Sequence, residues 1–147
     1  MIEGIELLGE IGMPIVTWCD ESNVNVREID MQHQKLLELV NNLHFSVESR
    51  IDKNDLENLL VELVDFTRVH FSTEEQLMKK YDYPEFESHH KEHRILLKHM
   101  NDLVAVVSGG EYPTFYSDYD VSSDWALVHI SEHDKGLGAF LNSKDVY

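Results

Sequence analysis

The chain has 147 residues, 28 acidic against 12 basic, for a formal net charge of −16, with nine histidines and one cysteine. That length suits one domain with a core of its own, and a hydrophobic content of 42% sets it apart from disordered acidic chains. The acidity argues against nucleic acid and anionic membrane surfaces as partners, the lone Cys19 excludes an internal disulfide framework, and no stretch approaches the roughly 18–20 apolar residues of a membrane span.

The expectation from this balance is an intracellular, cytoplasmic domain. Residues 1–12 interleave Glu3, Glu6 and Glu10 with apolar residues and lack the leading lysine or arginine of a secretory signal. They read as an appended tail or linker ahead of a domain over 13–147. Pro14 and the alternation Val24, Asn25, Val26 suggest an extended N-terminal arm over 13–30. A first helix is expected from residue 29 or 30 to 48, because Leu36, Leu37, Val40, Leu43 and Val47 recur at three- and four-residue steps. A second, over 55–81 and capped by Asn54 or Asp55, carries Leu56, Leu59, Leu60, Leu63, Thr67, His70, Glu74, Leu77 or Met78, and Tyr81.

Pro84 suits the start of a third helix over 85–107. Its stripe is Phe86, His89, His93, Leu96, Leu97, Met100, Leu103, Val104 and Val107, and Gly109 and Gly110 end it. Residues 111–123, rich in Tyr, Asp and Ser, read as a loop. A fourth helix holds Trp125, Val128 and His129 and is expected to end by Gly136 or Gly138. The fold class is therefore all-α, an up-down antiparallel four-helix bundle with an extended N-terminal arm.

Polar residues interrupt the stripes that should face the core. His70 and Glu74 on the second helix, and His89 and His93 on the third, are four residues apart, so each pair lies on one face, one turn apart. The first helix adds His33 and the fourth His129. Asp134 is the odd member: a five-residue step from His129 turns a regular helix about 500°, roughly 140° out of line. It can join only where the helix loosens, which Gly136 and Gly138 make feasible, or where the carboxylate reaches across. His44 has the look of an ordinary core histidine. Burying the whole set unpaired would cost several kcal/mol per group, a cost that coordination of metal removes.

Ligand chemistry narrows the metal. Thiolate is missing from the set, calcium and magnesium prefer oxygen, and imidazole with carboxylate suits iron, manganese or zinc. Seven side chains exceed one octahedron, so two metals are indicated. With both carboxylates bridging and one oxo or hydroxo bridge, one position stays open on the ion with fewer histidines, room for one small diatomic ligand.

The motifs ending at His33, H-F-S-T-E from His70 to Glu74, H-H-K-E-H from His89 to His93, and W-A-L-V-H-I-S-E-H-D from Trp125 to Asp134 resemble the hemerythrin family. The resemblance implies two Fe ions, oxo- or hydroxo-bridged, with O2 as ligand. By it, His89, His93 and His129 bind one iron, His33 and His70 the other, and Glu74 and Asp134 bridge them. Leu36, Phe71, Trp125 and Ile130 match apolar positions near the family's ligand pocket. The function it implies is reversible O2 binding for storage or delivery, without catalysis. Two alternatives stand beside it: an O2- or redox-sensing domain with an attached signalling domain or redox partner, and a diiron oxidase or peroxidase.

Overall fold

The computed structural model describes Trp18, residues 20–112 and residues 129–147, with backbone alone at residues 130 and 131. Residues 1–17, Cys19 and all of 113–128, with Trp125 and Val128 among them, lie outside the described residues, as does the side chain of Ile130. The appended tail, the first part of the expected arm and most of the expected 111–123 loop fall there.

A short 3-10 turn, Asp20–Ser22, precedes α1, Arg27–Glu48. Helix α1 begins two residues before the first expected position, because Asp30 already organises the approach. Its carboxylate accepts the backbone N–H groups of Val24 at 2.7 Å and Asn25 at 3.1 Å. Helix α2 spans Lys53–Lys80, and its cap is Asp52, whose side chain accepts the Asn54 N–H at 2.8 Å. Asn54 and Asp55, the expected caps, lie inside the helix. Helix α3 spans Phe86–Ser108, and a last helix, α4, spans Lys135–Ser143. One turn of π-helix, Ile130–Asp134, leads into α4.

The four described α-helices stop the same way. The residue after each cap takes a left-handed φ: Arg50 at 48°, Asp82 at 55°, Gly110 at 89° and Asp145 at 60°. The next N–H reaches back to the helix: Ile51 to Ser46 O at 3.2 Å, Tyr83 to Met78 O at 2.9 Å, Glu111 to Val106 O at 3.3 Å and Val146 to Leu141 O at 3.0 Å. This is the Schellman closure, which satisfies carbonyls the helix end would orphan.

Helix α4 does not end by Gly136 or Gly138; it runs through both to Ser143. The reason is packing. A Cβ on Gly138 would overlap the Val24 carbonyl oxygen and lie 2.8 Å from Val24 Cβ. Here glycine marks the close approach of the arm, not a stop.

Two apolar clusters divide the core. The larger joins α1, α2 and α3 through Leu36, Val40, Leu43, Leu60, Leu63, Leu96, Met100 and Leu103 among others. The smaller joins the arm, α1, α2 and α4 through Val24, Val26, Ile29, Met78, Leu137 and Leu141. Along α1 the chain passes from the smaller cluster, at Ile29, to the larger, at Leu36; α2 passes back from Leu63 to Met78; α3 returns from Phe86 to Leu96. That alternation is the up-down topology. On α1, α2 and α3 polar residues lie between the clusters: His33, then His70 and Glu74, then His89 and His93; His129 and Asp134 stand just ahead of Leu137 of the smaller cluster. No described helix is long and apolar enough to cross a membrane.

Candidate metal centre

The seven expected side chains meet in this middle layer, and none is more than 2% exposed. Helical period aligns His70 with Glu74, at 2.9 Å between Nε2 and Oε1. It also brings the His89 and His93 rings to 4.6 Å at 75° to each other. The π turn does the same for the pair that a regular helix would separate. Its i→i+5 hydrogen bonding winds five residues into about one turn, so Asp134 Oδ1 comes 3.1 Å from His129 Nε2.

Each carboxylate divides its oxygens between two groups of histidines. Glu74 Oε1 faces His70, and also His33 at 3.5 Å, while Oε2 faces His93 at 3.0 Å, His89 at 3.1 Å and His129 at 4.0 Å. Asp134 repeats the division, with Oδ2 2.8 Å from His33, and Oδ1 3.0 Å from His89 and also near His129. Two overlapping donor groups result: Glu74, His89, His93, His129 and Asp134, and His33, His70, Glu74 and Asp134.

The donors fit a metal pair on their own evidence. His33 Nε2, His70 Nε2, Glu74 Oε1 and both Asp134 oxygens are buried at these short distances without a properly directed hydrogen bond. Leaving such atoms unpaired costs roughly 1–3 kcal/mol each, so the layer needs cations at its centre. The protonation equilibria have the same sign. Burial opposes charge on His33, yet Asp134 and Glu74 outweigh it and hold the imidazole up to about 9. The same contest raises His89 to about 8 and His129 to about 10. His93 moves down, because burial and the neighbouring His129 prevail. Burial pushes the Glu74 and Asp134 carboxyls up, but the surrounding imidazoles hold both well below the carboxylate range. Without metal the acids draw protons onto the histidines. Metal ions would take the protons' place.

The model of the hemerythrin HHE cation binding domain matches residues 24–141. The chain belongs to the hemerythrin family. A bacteriohemerythrin of Methylococcus capsulatus is 30% identical over 132 residues, covering 89% of this chain and all of the relative. One of Stenotrophomonas maltophilia is 29% identical over 130 residues, covering 84% and 79%. A crystal structure of wild-type hemerythrin superposes with a TM-score of 0.78 at 30% identity, covering 86% of this chain and 97% of that one. The hemerythrin bundle and a cation-binding layer are thus common ground between sequence, structure and family.

Around the layer, Phe71 lies face to face with His93, 3.7 Å between ring centres at 8°, and 5.5 Å from the His129 ring. Leu36, three residues on from His33 along α1, is buried in the larger cluster. Two residues that sequence reading passed over hold histidines of the layer from behind. Gln32 Oε1 accepts from His70 Nδ1 at 2.8 Å. Glu75 Oε1 accepts from both His93 Nδ1 and His90 Nδ1, each at 2.9 Å. Burial pushes the Glu75 carboxyl up, but these two donors bring it below its ordinary value. The only sequence signal for either residue is adjacency, Gln32 to His33 and Glu75 to Glu74. The His90 ring stacks on Phe86 at 5.5 Å and 7°. His44 is a core histidine as expected, 3.3 Å from Glu48 one turn on.

Proposed function

We propose that this chain binds O2 reversibly at a pair of iron ions, for storage or delivery, and does not turn it over. The observation that carries the reading is the division of Glu74 and Asp134, each with one oxygen toward the two-histidine group and the other toward the three-histidine group. Carboxylates so placed would span two metals. His89, His93 and His129 would hold one iron, and His33 and His70 the other. Two irons, when bound, supply the redox chemistry by which O2 is taken up and released.

The protein's part is to orient, insulate and limit. Five imidazoles against two carboxylates make a donor set less anionic than a carboxylate-rich one, which disfavours deeper oxidation. Phe71 covers the His93 face of the layer and, with buried Leu36 of the adjoining apolar cluster, would exclude water, which reversible binding requires. The hydrogen bonds to Gln32 and Glu75 leave Nε2 of His70 and His93 free to face inward. The single cysteine and acidic balance fit a reducing, cytoplasmic setting.

The test is spectroscopic. Ferrous protein with two equivalents of iron is expected to develop a visible absorption band on exposure to O2 and to lose it under vacuum. A chain that holds both irons and shows no such band is not an O2 carrier. Steady consumption of O2 without a stable band would move the assignment to the enzyme class.

A further inference from the structure

The two halves of the cage are unequally supported from behind. In the three-histidine half, His93 donates its Nδ1–H to an anionic carboxylate, Glu75. That carboxylate is itself held by a second donor of α3, His90, which lies three residues before His93 and has its ring stacked on Phe86. In the two-histidine half, His70 donates to a neutral amide, Gln32, which is steered by its own bond to Thr73 at 3.1 Å. His33 has no hydrogen-bond partner at Nδ1 among the described residues. A carboxylate behind an imidazole makes it a stronger donor than an amide does, and loss of such a partner typically costs about 10- to 100-fold in metal affinity.

Resting on the diiron reading above, we propose that the two metals are held with unequal affinity, the His33/His70 metal leaving first, and that Glu75 and Gln32 set the difference as positioning residues. The count of histidines contributes to the gap, and the groups behind them widen it. Glu75 accepts from α3, so it also ties α2 to α3 across the layer, whereas Gln32 ties α1 to α2 through an uncharged contact. Metal exchange, and with it repair of a damaged centre, would therefore proceed through the half nearest Gln32 while the Glu75 half keeps its ion.

The experiment is an equilibrium competition. Anaerobic protein carrying two Fe(II) equivalents is titrated with a ferrous chelator, and released iron is counted by the colour of the chelate. The unaltered chain is expected to give two steps of one equivalent each. Glu75→Gln should weaken the tighter step by about 10- to 100-fold and leave the weaker step in place. Gln32→Glu should strengthen the weaker step by about 10-fold, a gain that a folding defect cannot produce. Loss of the anionic partner should also raise the midpoint potential of the iron pair in Glu75→Gln, and Glu75→Asp should recover part of it. If Gln32→Glu does not strengthen the weaker step, or Glu75→Gln moves the weaker step and spares the tighter one, the assignment is overturned. An unaltered chain that never holds two equivalents overturns the diiron reading itself and this inference with it.

Discussion

Phe71 shows how much one side chain can do in a layer of this kind. Its ring lies 3.7 Å from that of His93 and is 2% exposed, so it belongs both to the apolar core and to the wall of the metal layer. Truncation to alanine should cost about 3–5 kcal/mol as a large-to-small core change and should admit water beside His93. The expected result for Phe71→Ala is a lower melting temperature and a several-fold faster decay of the O2-dependent band. Phe71→Leu, which keeps most of the volume, should keep most of the stability while still shortening the band's lifetime. If both variants hold the band as long as the parent, Phe71 is core and nothing more. At this scale the sequence was readable wherever one candidate donor sat in helical register with another: His70 with Glu74, His89 with His93. It was unreadable for Gln32 and Glu75. Their roles depend on how far α1 and α3 stand from α2, which no spacing within one helix encodes.

At the scale of elements, the π turn at Ile130–Asp134 is the departure that matters most. A regular helix would carry Asp134 away from His129, and only an added residue in the turn restores the alignment. The five-residue spacing therefore announced that the helix must loosen, without stating how. The glycines beyond it misled for a definite reason: their usual role is to stop a helix, and here Gly138 admits the Val24 backbone instead. The two glycines of α4 accordingly make opposite predictions. Gly138→Ala forces a Cβ onto a backbone carbonyl and should destabilise by about 1–3 kcal/mol or more, seen as a drop in thermal midpoint and weaker holding of the arm. Gly136→Ala meets the Tyr83 hydroxyl at 3.4 Å, an ordinary contact, and should be neutral or stabilising by up to about 1 kcal/mol through helix propensity. Equal effects from the two substitutions would mean that the arm does not seat against α4 as described.

Taken together, the described residues stack in three layers, with a charged one between two apolar ones, and stability should answer to pH accordingly. In the metal-free chain, Asp134 and Glu74 overcome burial to hold His33 near 9, His89 near 8 and His129 near 10, against an ordinary 6.5. Between about pH 6.5 and 10 the folded chain thus binds more protons than the unfolded one, and stability falls as pH rises through that window. On the acid side, Glu74 and Asp134 are held below their ordinary values. Their contribution is present above roughly pH 4–4.5 and is lost as pH falls through their lower folded values. Metal reverses the alkaline limb, because each ligand imidazole must be neutral before it can coordinate. Loading at pH 7 should release protons into weakly buffered solution, and the yield should shrink as the starting pH approaches 10. Apparent metal affinity should climb over the same range, until hydroxide competes for the metal. The melting temperature of metal-free protein should decline from pH 7 to 10 while that of loaded protein holds steady, and the gap between them measures the cations the layer was built around. Loading without proton release at pH 7 would mean that the histidines are already neutral in the metal-free chain. The two acids would then be sharing their charge with something other than imidazole.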